Sequence, residues 1–399
     1  MRILLYAGKG GTGKTTMAAA AGAKSAALGR RTLVVSLDPA HSLSDAFGLN
    51  GETAGRDACV KVADNLWLRE VSAASVLEVY WREVHTYLRS LFGAAGLDEL
   101  LAEEVALLPG MDEVAALISV AEALDEGGFE ALILDCAPTA ESMRVVSLPA
   151  ALDWYRRRIG PAERSLLKLA RPLARRLTDV PLPGEAWFAS LARLTERLAG
   201  VDGVLTDPRR TSVRLVANAE RMVLKETQRA YVAFCLFGLT VDMVLVNRVL
   251  PACAGLDPAW LESERRHLEE ARSIFAPLPV VEVPRQAPEP LGHEALLALG
   301  GLIYDGTDPL AVTQTERSLR FNKRGGRLEV RLRLPAADKN TLSVHASGLE
   351  LVVQLGAVRR HVGLPRSFAG AEPVRARQSG EWLVVEFKPA GEVDDGEKD

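Results

Sequence analysis

RILLYAGKGGTGKTT, residues 2–16, carries an apolar run into a glycine-rich loop and then into a small-residue helix predicted over 14–29. The segment from Gly8 to Thr15 satisfies the whole pattern G-x-x-x-x-G-K-[ST]. Glycines allow the backbone conformations that turn successive N–H groups inward, and the following helix adds the partial positive charge of its N-terminus. Such a loop cradles phosphates: Gly8, Lys9, Gly10, Gly11, Thr12, Gly13, Lys14, Thr15 and Thr16 are the expected contacts. Lys14 is expected to reach the outer phosphates, and the Thr15 hydroxyl to hold Mg²⁺. A nucleoside triphosphate with Mg²⁺ is therefore the expected ligand.

Outward from this loop, further apolar runs recur: TLVVSL at 32–37, EALILD at 130–135, VRLVAN at 213–218 and VDMVLVN at 241–247. Helical spacing fills 74–126 and 223–236 between them. Strands unbroken by polar residues and alternating with helices predict an α/β fold, a doubly wound, mostly parallel sheet covered on both faces. Two of these strands are followed by acids at strand ends. Asp38 leaves one beside the expected phosphates, where a carboxylate can orient an attacking water or only cap the next helix. Asp135 closes LILD and is expected to bind Mg²⁺ directly or through water. Lys9 is a second cation in a loop already served by Lys14. Either it is solvated, or it stabilises charge on the transferring phosphoryl group of another site.

Residues 151–204 differ in character. In DWYRRRIGPAERSLLKLARPLARRLTDV, Ile159, Leu166, Leu169, Leu173 and Leu177 recur at helical spacing among eight basic residues between Arg156 and Arg176. This predicts helices with an apolar stripe, facing either the core or a hydrophobic client. From Arg327 onward the apolar period falls to two, in runs bounded by PAADKN, GLPRSFAGAEP and RQSGE. A small antiparallel sandwich over 320–389 is expected, set off from a domain at 1–312 and followed by a polar tail at 390–399. The formal net charge of −4 gives no global field favouring nucleic acid. The amino-terminal apolar stretch is shorter than a secretory core needs, and the four scattered cysteines contain no C-x-x-C pair. A reducing cytoplasm is expected, with no structural zinc.

GKGGTGKTT, DPAHSLSDAF at 38–47, DCAPT at 135–139 with Leu148-Pro149, and VNRVLP at 246–251 together resemble one family across residues 1–305. It is the ATPase family that includes the arsenite-pump ATPase and the eukaryotic targeting factor for tail-anchored membrane proteins. The resemblance implies an ATP-hydrolysing homodimer in which Asp38 orients water and Lys9 acts on the partner's nucleotide. It further implies that Asn247 binds adenine, that Glu226 contacts the partner's nucleotide and that the loop at Val283-Pro284 flanks the base. Residues 320–389 look like an α-crystallin domain, as in the branch of the family with such an appendage. Ala140 and Glu141 depart from the family's usual glycine and histidine, and neither a zinc pair nor a three-thiol arsenite cluster is visible.

Three functions follow as expectations. One is an ATP-driven chaperone or targeting factor whose 151–204 segments shield hydrophobic protein segments, with transient membrane association. The second is the ATPase subunit of an arsenite export system. The third is a nucleotide-gated scaffold that hydrolyses little.

Overall fold

A computed structural model describes residues 1–37, 42–49, 59–71, 111–137, 145–148, 200–251, 257–324, 326–335 and 339–389, with isolated positions at 86, 189, 192–193, 196–198 and 337. Asp38, the loop after Ala137 with Ala140 and Glu141, nearly all of 151–199, Cys253 and the tail lie outside the described residues.

The strands β1 (Arg2–Gly8), β2 (Thr32–Ser36), β3 (Val60–Ala63), β4 (Leu66–Glu70), β5 (Ala131–Asp135), β6 (Thr211–Asn218), β7 (Val241–Val249) and β8 (Val280–Pro284) form one eight-stranded sheet. Their order is β3-β4-β2-β5-β1-β6-β7-β8, and only the β3–β4 pair is antiparallel. The expected doubly wound sheet is thus present, with an antiparallel strand on one edge. The unbroken apolar strands are explained by burial on both faces. Ile3, Leu5 and Ala7 enter one core while Leu4 and Tyr6 enter the other.

The second of those cores is closed by α1 (Lys14–Ala27), α2 (Ser42–Ala46) and α7 (His293–Tyr304); the first is closed by α3 (Met111–Glu126), α4 (Val201–Leu205), α5 (Arg221–Leu236) and α6 (Pro258–Phe275). Helix α4 overlaps the end of the segment set apart at 151–204, and its Val201 belongs to the sheet's own core. The alanine-rich composition of α1 follows from its position between the sheet and α7. A Cβ built on Gly300 of α7 would lie 2.4 Å from the Ala20 carbonyl oxygen. This close approach fixes the helix that begins at Lys14.

Strands β9 (Leu319–Arg324), β10 (Arg327–Arg333), β11 (Leu342–Ser347), β12 (Glu350–Leu355), β13 (Val358–Gly363), β14 (Glu372–Ser379) and β15 (Trp382–Lys388) build the expected antiparallel sandwich. Its sheets run β14-β15-β10-β9 and β11-β12-β13. Leu328, Val330, Leu332, Leu383, Val385 and Phe387 meet Leu351 and Val353 between them. That core continues into α5 through Val232 and Leu236. The guanidinium of the buried Arg360 donates to the Leu236 carbonyl, and the Ser318 hydroxyl donates to the Leu239 carbonyl at 2.9 Å. Burial lowers the Arg360 pKa to about 10, which still leaves it charged at neutral pH. Between α7 and β9 the chain is held by Arg214, which donates to the Tyr304 hydroxyl at 2.9 Å and to the Pro309 carbonyl at 2.6 Å. No helix among the described residues is long and apolar enough to cross a membrane.

Because the added methyl would meet the Ala20 carbonyl and the Cβ of Lys24, neither of which can swing aside, Gly300→Ala should push α7 off α1. A loss of about 1–3 kcal/mol in unfolding free energy is expected, read as a lower denaturant midpoint.

Candidate functional site

The glycine-rich loop leaves β1 at Gly8 and enters α1 at Lys14, at the carboxyl ends of the strands where open parallel sheets place their ligands. Within the loop the Lys9 carbonyl is a local hub. It accepts from the Thr12 hydroxyl at 2.9 Å and from Lys14 Nζ at 3.4 Å, so the nearly buried Lys14 ammonium lies over the loop. A Cβ on Gly10 or Gly11 would meet nothing within 4 Å, so the loop opens onto space. Gly13 is different: its φ is +94°, and a Cβ there would lie 2.3 Å from Asn247 Nδ2. Only glycine lets the loop close on that amide.

Asn247, near the end of β7, supports the loop from below. Its Nδ2 donates to the Thr12 carbonyl at 2.9 Å, and its Oδ1 accepts the Arg248 N–H at 2.8 Å. Asn218, in register with it at the end of β6, donates to the Asn247 carbonyl at 3.0 Å. At Arg248 the backbone takes a left-handed φ of +60°, where the β7–β8 register shifts. A bulge there redirects the side chains at the strand ends. Asn247 and Arg248 line a cleft of about 580 Å³ with Thr16, Arg285, Gln286 and Pro288. Pro284 closes β8 just before this loop, its carbonyl accepting from Gln286 Nε2 at 2.7 Å. A second cleft of about 540 Å³ shares the wall of Asn247, Arg248 and Arg285 and is lined by Glu220, Glu264, His267 and the exposed Trp260.

On the other flank, the Thr15 hydroxyl lies 3.1 Å from the Ser42 hydroxyl, and Asp135 ends β5 fully buried beside β1. A hydroxyl at the first turn of α1 and an acid at the neighbouring strand end are the hard oxygen donors that Mg²⁺ takes in phosphate-loop sites, so these residues fit the ion. Lys9 is 42% exposed and forms an ion pair with Glu226 of α5, Nζ to Oε2 3.7 Å, within the same chain.

The loop residues, Asn247 and Glu226 therefore gather on one rim of the sheet, with Pro284 at the margin of the adjoining cleft. Ser42, Asn218 and the Gln286–Pro288 loop were not singled out from sequence. For Asn218 a signal existed: VRLVAN and VDMVLVN are two apolar runs that both end in asparagine.

A doubly wound sheet whose first strand passes through such a loop into its first helix defines a phosphate-loop nucleotide-binding protein. The family model described as anion-transporting ATPase matches residues 1–305, and the HSP20-like domain found in ArsA matches 325–387. A protein of Aquifex aeolicus provisionally named arsenical pump-driving ATPase 1 is 41% identical, over 96% of this chain and 99% of its own. One of Chlorobaculum tepidum, provisionally named arsenical pump-driving ATPase, is 36% identical over 97% and 96%. ATPase GET3 of Candida glabrata is 26% identical over 77% and 91%. This chain belongs to the anion-transporting ATPase family, in a form that carries the HSP20-like domain.

Gly13→Ala should leave the fold intact and weaken ATP binding by about tenfold or more, since the new methyl strikes the amide that braces the loop. Equilibrium dialysis with Mg·ATP, set beside a thermal melt, checks this.

Proposed function

We propose that the chain is a homodimeric, Mg-dependent ATP hydrolase of the cytoplasm that uses the nucleotide cycle to open and close a groove for hydrophobic protein segments. In this reading the loop from Gly8 to Thr16 and Lys14 hold the phosphates, and Asp38 orients the attacking water. Asn247 and the loop after Pro284 flank the base. When bound at Thr15 and Asp135, Mg²⁺ offsets charge on the outer phosphates.

The observation that carries the reading is the Lys9–Glu226 pair. An exposed pair at 3.7 Å contributes little, on the order of 0–1 kcal/mol, so it yields readily to a stronger partner. A triphosphate presented by a facing subunit is such a partner for Lys9, because charge-assisted bonds to phosphate are the stronger kind. Glu226 lies on α5, and the far end of the same helix carries the sandwich. Exchange of Lys9 from Glu226 to the partner's phosphate thus supplies contacts made only in a closed dimer, which is what lets ATP select that state. The segment at 151–204, with its apolar stripe, supplies the groove.

The names of the Aquifex and Chlorobaculum relatives favour a second reading, coupling of hydrolysis to arsenical export. Against it, the four cysteines stand far apart in the sequence, at 59, 136, 235 and 253, and no three-thiol cluster for arsenite is readable there. Arsenite-stimulated ATPase activity would decide for export, and its absence for the groove. Negligible single-turnover hydrolysis would leave only a nucleotide-gated scaffold.

Asp38→Asn should lower single-turnover hydrolysis by about 10²–10⁴-fold with binding retained, and Lys9→Ala should also be inactive. Mixing the two inactive variants should restore activity, because a mixed dimer has one site with Asp38 from its own chain and Lys9 from the other. If mixing restores nothing while each variant still binds ATP, Lys9 does not act across subunits.

A further inference from the structure

The net charge of −4 conceals a division along the chain. Residues 313–389 hold 14 Arg and Lys against 7 Asp and Glu, a net +7, which leaves −11 on the remainder. Much of this positive charge lies on one face. In β10, Leu328, Val330 and Leu332 point into the sandwich core, so Arg327, Glu329, Arg331 and Arg333 lie on the opposite face; Glu329 and Arg333 are buried there, Arg333 in an ion pair with Glu381, which leaves Arg327 exposed and Arg331 partly so. Their cross-strand partners on β9 are Arg324 opposite Arg327, Asn322 opposite Glu329, and Arg320 opposite Arg331. Two of these three outward pairs set arginine against arginine, an arrangement that destabilises an isolated sheet. On the other side of β10, Arg375 and Arg377 of β14 extend the same face.

The internal compensation is partial. Arg327 and Arg377 share Glu386, and Arg320 pairs with Glu316. Arg320 and Arg331 each lie 5.2 Å from the Trp382 ring, one stack that holds both guanidinium groups in place. Arg331 Nε is buried with no hydrogen-bond partner, and among the described residues Arg324 and Arg375 form no ion pair.

We propose that this face of the β14-β15-β10-β9 sheet is a docking surface for an anionic lipid bilayer. A four-stranded sheet face spreads its cations over four neighbouring strands, which suits a continuous array of headgroups. Headgroups in a fluid layer rearrange around the interspersed, partly covered Glu386, which a rigid anionic partner cannot do. The indole that would otherwise stack on a nucleic-acid base is already occupied by Arg320 and Arg331. The proposal stands apart from the proposed nucleotide cycle and needs no hydrolysis.

The test is sedimentation of the full chain with phosphatidylcholine vesicles, with and without phosphatidylglycerol. Binding is expected only to the anionic vesicles and should weaken as salt is added. Each basic residue at such a surface is worth about fivefold in partition, so Arg324→Glu, Arg331→Glu and Arg375→Glu together should lower it by about a hundredfold or more. The milder Arg324→Gln with Arg375→Gln should give about twenty-five-fold by the same count, and keeps the test readable if the triple variant misfolds. Arg359→Glu, on the other sheet, should leave binding unchanged. Equal binding to neutral vesicles, no binding to either, or tighter binding to duplex RNA than to anionic vesicles would overturn the proposal.

Discussion

The hydrogen bond from Asn247 to the Thr12 carbonyl is the contact on which the candidate site depends. A loop rich in glycine has few side chains with which to hold its own shape, here Thr12 and Lys14 on the Lys9 carbonyl, and its conformational freedom is a liability until something further fixes it. Here the fixing group comes from a strand more than two hundred residues later in the chain. It reaches the loop only because Gly13 has no Cβ and because β7 bulges immediately after Asn247. Asn218 holds Asn247 in turn, so two neighbouring strand ends set the position of one peptide group. The same bulge turns Arg248 toward the cleft beside the loop, joining phosphate-binding geometry to the wall of the adjoining cavity.

Helix α5 ties that rim to the other end of the molecule. Its early turns present Glu226 to Lys9, and its last turns lie in the sandwich core. The buried Arg360 and the Ser318 hydroxyl hold backbone carbonyls at and just beyond the carboxyl end of this helix. One continuous helix therefore contacts both the rim of the loop and the core of the sandwich.

The main sheet was legible in the sequence because both of its faces are covered, which makes β1, β2, β5, β6 and β7 read as continuous apolar runs. β3 and β4 did not read this way: β3 is a short, partly exposed edge strand, and β4 carries the buried polar Arg69 and Glu70. Glu70 accepts the Ser44 N–H, a role that spacing does not reveal. β8 is also an edge strand, and in the sequence it looked like a loop containing proline. The phosphate loop was legible because its glycines, lysine and threonine are local to one another. The brace at Asn218 and the Gln286–Pro288 wall come from distant segments and only the fold assembles them. The Lys9–Glu226 pair joins two residues that the resemblance had assigned separately to a partner's nucleotide.

The seam between α5 and the sandwich bears on how such a protein could be shortened. Val232 and Leu236 are buried in company with strands β10 to β15, and the Leu236 carbonyl finds its donor on β13. A chain stopped after α7 would uncover two aliphatic side chains and lose the guanidinium on that carbonyl. The first three hundred residues thus share a buried seam with the appended domain. In a form without the appended domain, polar residues at the positions of Val232 and Leu236 would wet the surface that the sandwich covers here.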